Sequence, residues 1–183
     1  MKPAGGYQTP IIGIAGWKKS GKTTLVTRLI AEFTARGLKV ATVKHAHHDF
    51  QIDEGGTDSA RHRHAGASQV AVVSSKRWAL INELDGMSEP TLDEVVAWLG
   101  PCDLIIAEGY KAAPIPKIEL RRSGAVSQEA LAGVRPNVCA IAADYSIDDK
   151  LLPVFSLDDI TGIADFIAET LGVPVPKPVA PAR

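Results

Sequence analysis

Cysteine is scarce in this chain. Only Cys102 and Cys139 occur in 183 residues. Each sits at the start of or within an apolar strand-like segment, which suits reduced, buried thiols and points away from a disulfide scaffold or a cysteine-rich zinc site. Long apolar runs are missing too, so no stretch is long enough to span a bilayer. Met1 to Pro10 also lacks the apolar core of a signal peptide. The expectation is a cytoplasmic protein with no membrane partner. An excess of either charge is absent: the formal net charge is −1, which gives no sign of a polyanion-binding or membrane-binding basic surface, and nucleic acid is not an expected partner. No internal repeat is visible. What remains is ordinary globular material, 45% hydrophobic and 22% charged, at a length that suits one domain with a proper core. The expected division is a nucleotide-binding domain over 1–172 and a loose tail over 173–183 with four prolines.

The informative feature is Gly16-Trp17-Lys18-Lys19-Ser20-Gly21-Lys22-Thr23. It matches Gly-x-x-x-x-Gly-Lys-Ser/Thr, the loop that wraps nucleotide phosphates. Its flanks agree. Ile11 to Ala15 reads as a buried strand. The following stretch carries Leu25, Val26, Leu29, Ile30 and Phe33 on one helical face before Gly37. Glycines let successive backbone N–H groups point at phosphate oxygens, and the helix N-terminus adds partial positive charge. Lys22 reaches terminal phosphates, and the Thr23 hydroxyl, beside Thr24, is suited to ligate Mg²⁺. A nucleoside triphosphate is the expected ligand.

Further strands are read at Leu38–Val43, Gln69–Ser74, Asp103–Ala107, Val138–Ala143 and Pro153–Phe155. Helices are read at Thr57–His64, after the capping box Thr91-Leu92-Asp93-Glu94, and along Ile160, Ile163, Ala164, Ile167 and Leu171. Strands alternating with helices imply an α/β fold whose mostly parallel sheet is flanked by helices. Lys117 to Arg122 alternates apolar and charged residues and reads as a half-exposed strand. Ser75 to Leu84 is also strand-like. Such two-sided strands suit an edge hairpin, a dimer surface or a solvated edge.

Glu108 ends the apolar strand Asp103–Ala107, where nucleotide hydrolases place the carboxylate that holds Mg²⁺ or its water. Asp103 lies at the other end of that strand. All five histidines, His45, His47, His48, His62 and His64, fall within twenty residues of one another. Lys44, Arg61 and Arg63 among them favour an anionic ligand or a switch-loop role. A metal site and a solvated loop are the alternatives. The stretch leaves the C-terminal end of the second strand, the edge where open α/β sheets bind ligands.

These residues resemble a known family. The phosphate loop continuing into Thr24-Leu25, then Val43-Lys44-His45-x-x-His48-x-Phe50-x-x-Asp53, Gly56-x-Asp58-Ser59-x-Arg61 and Ala65-Gly66-Ala67, are similar to the GTP-binding MobB proteins of molybdopterin-guanine dinucleotide biosynthesis. Ile106-x-Glu108-Gly109-Tyr110-Lys111 and Pro116-Lys117-Ile118-Glu119 continue the likeness, which runs from about Ile11 to Asp144. The resemblance implies a P-loop NTPase fold, a homodimer, GTP with Mg²⁺, at most slow GTP hydrolysis, and the guanylyltransferase MobA as partner, with molybdopterin as a further candidate ligand. It puts Lys22, Glu108 and Asp58 in the catalytic set and Thr23, Glu108 and Asp58 near the metal. Lys44 and His45 join the loop residues in binding nucleotide. Two departures stand out: Thr57 where members often have lysine, and Trp17 where related dimerising ATPases carry a signature lysine. Asn-Lys-x-Asp does not occur; Asp144, just past its strand, is a candidate to accept hydrogen bonds from guanine N1–H and N2–H₂. A metallochaperone GTPase using the histidines is a rival function. A small-molecule kinase with Arg121-Arg122 as lid arginines is another.

Overall fold

The computed structural model describes residues 8–46, 50, 52, 53 and 55–174. Two compact units divide it: residues 1–45 with 92–183, and residues 46–91.

The first unit is built on a six-stranded sheet. Its strands are β1 (Ile11–Gly16), β2 (Val40–Lys44), β5 (Leu104–Glu108), β6 (Lys117–Arg121), β7 (Val138–Ala143) and β8 (Val154–Ser156). The order across the sheet is β2-β5-β1-β6-β7-β8, and every pairing is parallel. Parallel neighbours cannot be joined by tight turns, so each connection must cross over the sheet and covers a face on the way. β1 and β5 are therefore buried along their whole length, as their apolar composition, interrupted only by Glu108 at the end of β5, requires. One face packs against α1 (Lys22–Ala35) through Leu25, Val26, Leu29 and Phe33, and against α4 (Ile160–Leu171) through Ile163, Ala164 and Ile167. The other face holds Ile11, Val43, Ile105, Ala107 and Ile115 under α3 (Leu92–Trp98). Each fully buried Ile, Leu or Phe contributes about 1.5–3 kcal/mol.

The half-exposed reading of Lys117–Arg122 is wrong. β6 is central, between β1 and β7, and Lys117 and Glu119 are 0% and 1% exposed. Alternation signals a wet face only when the charged side chains have no other partner. Here they do. The Lys117 ammonium donates to the carbonyls of Ala113 at 2.8 Å and Pro136 at 2.7 Å. Burial pushes its pKa below the ordinary lysine value. Glu119 accepts the backbone N–H groups of Leu131 and Ala132, both at 2.8 Å, and takes the Arg121 guanidinium in a two-pronged pair at 2.9 and 3.0 Å. The charged face of β6 thus fastens the segments before and after it, while Ile118 and Leu120 fill the core.

The second unit contains α2 (Asp58–His64), β3 (Gln69–Val73) and β4 (Trp78–Asn82). Thr57 caps α2, its hydroxyl accepting the Ala60 N–H at 3.3 Å. β3 does not extend the parallel sheet as the strand–helix alternation implied. It pairs antiparallel with β4, Val73 opposite Trp78, in a separate two-stranded sheet. The short connection over residues 74–77 decides this, since only an antiparallel partner is reachable through so few residues. Arg63 ties the unit together, holding Asp53 at 2.6 Å and Glu83 at 3.0 Å.

Removing the buried carboxylate of β6 strands a guanidinium and two N–H groups. Glu119→Ala is expected to cost about 3–5 kcal/mol, and Lys117→Met about 1–3 kcal/mol because only carbonyls lose a donor. Urea denaturation checks both. Wild-type stability of Glu119→Ala would mean that this face is solvated.

Candidate functional site

The loop between β1 and α1 turns back on itself. Lys19 and Gly21 take left-handed φ values of 67° and 89°, and Gly21 is also the residue that opens α1. A non-glycine residue in that region is uncommon and stores strain, which concentrates at functional sites. Gly16 cannot be larger: a β-carbon there would stand 2.5 Å from Ser20 Oγ and 2.8 Å from the Leu120 carbonyl. Inside the turn, the Ser20 hydroxyl is buried without a protein partner. The Lys22 ammonium curls over the loop and donates to the Trp17 carbonyl at 2.8 Å. Its pKa lies below the usual lysine value, first through burial, with Lys111 and Lys44 adding to the effect and Glu108 opposing it.

Beside this loop runs the C-terminal end of β5. The sheet register sets Glu108 opposite Ile14 of β1 and Lys44 of β2, so one carboxylate stands where three strands run out. That edge is where open α/β sheets bind ligands. Glu108 Oε1 accepts the Thr23 hydroxyl at 2.8 Å and lies 3.6 Å from the Lys44 ammonium. Lys19, Gly21, Lys22, Thr23, Thr24 and Glu108 line a hollow of about 220 Å³. A hydroxyl and a carboxylate are hard oxygen donors. Mg²⁺ takes only one or two such ligands from protein when phosphates and water complete its shell. The loop, its unpartnered buried hydroxyl and this oxygen pair fit a nucleotide phosphate with Mg²⁺.

The other residues singled out in the sequence are placed as follows. Lys18 is exposed, and its carbonyl accepts the Val126 N–H at 3.0 Å. The His45 N–H donates to the Glu108 carbonyl at 3.0 Å, and its ring meets Tyr110 at 5.2 Å. Asp144 sits at the end of β7. Its carboxylate is engaged by the Ser123 N–H at 2.8 Å and the Ser123 hydroxyl at 3.0 Å, which hold it below the usual carboxylate range. It also lines a shallow hollow of about 440 Å³ with Tyr145, Ile147 and Phe155. Asp58 belongs to the second unit, 3.6 Å from Arg61 of its own helix. His47 and His48 lie outside the described residues. Among the described residues no three His, Cys, Asp or Glu are gathered to hold a metal ion.

Sequence reading overlooked the β6–β7 connection. Trp17 Nε1 donates to the Glu129 carbonyl at 2.7 Å, and the Lys111 ammonium sits 3.8 Å from the centre of the Trp17 ring. Such contacts between distant segments leave no local signature. The family likeness marked Lys111 without giving it a role.

Comparison with known proteins agrees with this geometry. The family model described as "MobB: Molybdopterin guanine dinucleotide synthesis protein B" matches residues 11–144. This chain belongs to the MobB family. Curated MobB relatives include the molybdopterin-guanine dinucleotide biosynthesis adapter protein of Escherichia coli (strain K12), 38% identical over 170 residues, or 91% of this chain and 95% of the relative. The adapter protein of Haemophilus influenzae is 38% identical over 171 residues, covering 90% of each chain. Among solved structures, a MobB homolog from Bacillus stearothermophilus superposes with a TM-score of 0.68 at 28% identity, covering 90% of this chain and 99% of that one. A Bacillus subtilis MobB gives 0.71 at 28% identity, with 88% and 98% covered. The fold is the mostly parallel, helix-flanked P-loop NTPase type. The metallochaperone alternative finds no support in these relatives.

Because the Leu120 carbonyl cannot yield without disturbing β6, Gly16→Ala is expected to lower stability by about 1–3 kcal/mol and to displace the loop. Thermal melting checks the first effect. Unchanged melting would show that the loop accommodates the methyl group.

Proposed function

We propose that this chain is a GTP-binding adapter of molybdopterin-guanine dinucleotide biosynthesis with slow, Mg²⁺-dependent GTPase activity. The observation that carries the nucleotide reading is the Thr23 hydroxyl on the Glu108 carboxylate, 2.8 Å apart, beside a loop with the phosphate-binding pattern. Membership of the MobB family supplies the pathway.

In this reading the Lys22 ammonium leaves the Trp17 carbonyl for phosphate oxygens. That exchange is favourable because the amine is already partly stripped of water and an anion restores its solvation. Backbone N–H groups from Trp17 to Thr24 and the start of α1 face the phosphates. Lys44 and His45 close the β2 side. Thr23 and Glu108 hold Mg²⁺ directly or through water. Bound Mg²⁺ offsets charge on the transferring phosphoryl group. Asp144, at the hollow past β7, is the candidate reader of the guanine edge, its carboxylate keeping lone pairs beyond those that take the Ser123 bonds. The partner is the guanylyltransferase MobA, with molybdopterin as its cargo. The chain works as a homodimer, for which the exposed Val73, Trp78 and Leu80, on one side of the hairpin, provide an apolar face.

Titration of the purified protein with GTP and ATP tests the reading. GTP is expected to bind at least about tenfold tighter, a difference of roughly 1.4 kcal/mol, and Lys22→Ala to abolish tight binding while leaving apo melting unchanged. Wild-type GTP affinity in Lys22→Ala would sink the phosphate-loop assignment. A second expectation concerns turnover. Glu108→Gln keeps the size of the side chain, so it should retain GTP yet lose most of the slow hydrolysis. Single-turnover assays at saturating Mg²⁺ measure this; full activity in Glu108→Gln means the carboxylate is structural.

A further inference from the structure

Two consecutive arginines end β6 and begin the next connection, and the structure treats them differently. Arg121 is fully engaged in its two-pronged pair with Glu119. Arg122 has no such pair. Its Nε lies 3.6 Å from Asp144 Oδ2, and that carboxylate already accepts two bonds from Ser123. The Arg122 side chain is 52% exposed. Its Nη1 comes within 3.6 Å of the point where a β-carbon on Gly21 would stand. The guanidinium therefore spans the gap between the last glycine of the phosphate loop and the acidic wall of the hollow past β7.

This is a costly place for a weakly paired cation. Gly21 opens the 14-residue helix α1, whose N-terminus carries partial positive charge. The Lys22 ammonium is on the same loop. The backbone beneath Arg122 is nevertheless well fixed. Its carbonyl accepts the Ala125 N–H and the Gln128 side-chain amide, both at 3.0 Å. Four residues on, the Val126 N–H bonds to the Lys18 carbonyl at 3.0 Å. A positioned, half-solvated guanidinium with one loose carboxylate contact is poised for another partner. Its planar fork suits phosphate oxygens, and its face suits an aromatic ring.

We propose that Arg122 is a nucleotide-binding residue whose guanidinium grips the nucleotide between its base and its phosphates, at a point common to GTP and GDP. The inference rests on the GTP-binding reading and adds to it the residue that joins the phosphate loop to the base side. Arg122 serves affinity, and Asp144 holds it ready.

Calorimetric titration of the full chain with GTP and with GDP, in Mg²⁺, tests this. Arg122→Ala is expected to weaken both nucleotides by the same factor, about tenfold. Arg122→Lys should recover only part of the loss, because an ammonium lacks the planar fork. Ser123→Ala keeps the backbone bond to Asp144 and should bind nucleotide as the wild type does. A loss confined to GTP would place the guanidinium on the terminal phosphate and overturn the proposal. An equal loss in Ser123→Ala would do so too, by tracing the effect to the fastening of the loop. Unchanged affinity in Arg122→Ala, while Lys22→Ala loses binding, would reject the role of Arg122 and leave the GTP reading standing. Should the wild type bind no GTP, that reading itself fails, and this one with it.

Discussion

Because β1 is hydrogen-bonded on both sides by parallel strands, the chemistry-bearing ends of β1, β5 and β6 emerge at one edge of the sheet. Gly16 closes β1 opposite Leu120 of β6, and Ile14 stands opposite Glu108 of β5. A shift of one residue in the β1–β5 pairing would move Glu108 away from Thr23 or turn its side chain to the other face. Register is therefore what assembles the site. It is fixed by the unbroken burial of β1 and β5 between two apolar clusters.

The central position of β6 introduces a conflict, since it carries Lys117 and Glu119 into the interior. Desolvating two unlike charges on one strand opposes folding unless every hydrogen-bonding position is filled. They do not satisfy each other. Each takes backbone groups of a connecting segment: carbonyls for the ammonium, N–H groups for the carboxylate. The cost of burial is thereby exchanged for order in two connections that apolar packing alone would not position. One of them, between β6 and β7, then bonds to Lys18 and Trp17 of the phosphate loop. Order passes from the core to the site through these charges.

Legibility followed sequence range. The phosphate loop was readable because its eight residues and both flanks are contiguous, and the structure adds only the strained Lys19 and the orphaned Ser20 hydroxyl. Glu108 was readable because a strand of apolar residues ending in an acid at that edge has few other meanings. α4 was readable from the helical spacing of its apolar stripe, and β7 from its apolar run. β6 was not, because alternation of charge describes side chains without saying whether backbone groups from elsewhere will cover them. β3 was misplaced for a related reason: strand propensity is silent about the partner, and four intervening residues before β4 outweighed the wider strand–helix alternation. The joining of Arg122, Ser123 and Asp144 spans more than twenty residues and has no periodic trace.

The whole-chain charge of −1 hides a local excess of cations. Burial does most to depress the Lys22 pKa, the nearby Lys111 and Lys44 lower it further, and Glu108 is the acid that opposes them. Lys111 is itself lowered, chiefly by burial and then by Arg135, and its ammonium rests on the Trp17 ring in place of a carboxylate. Cations held near one another without matching acids are unfavourable in the free protein, so an anion entering among them relieves repulsion as well as forming hydrogen bonds. A net charge averages this away. The distribution that matters is set by which strand ends meet at one edge, and that is decided by topology.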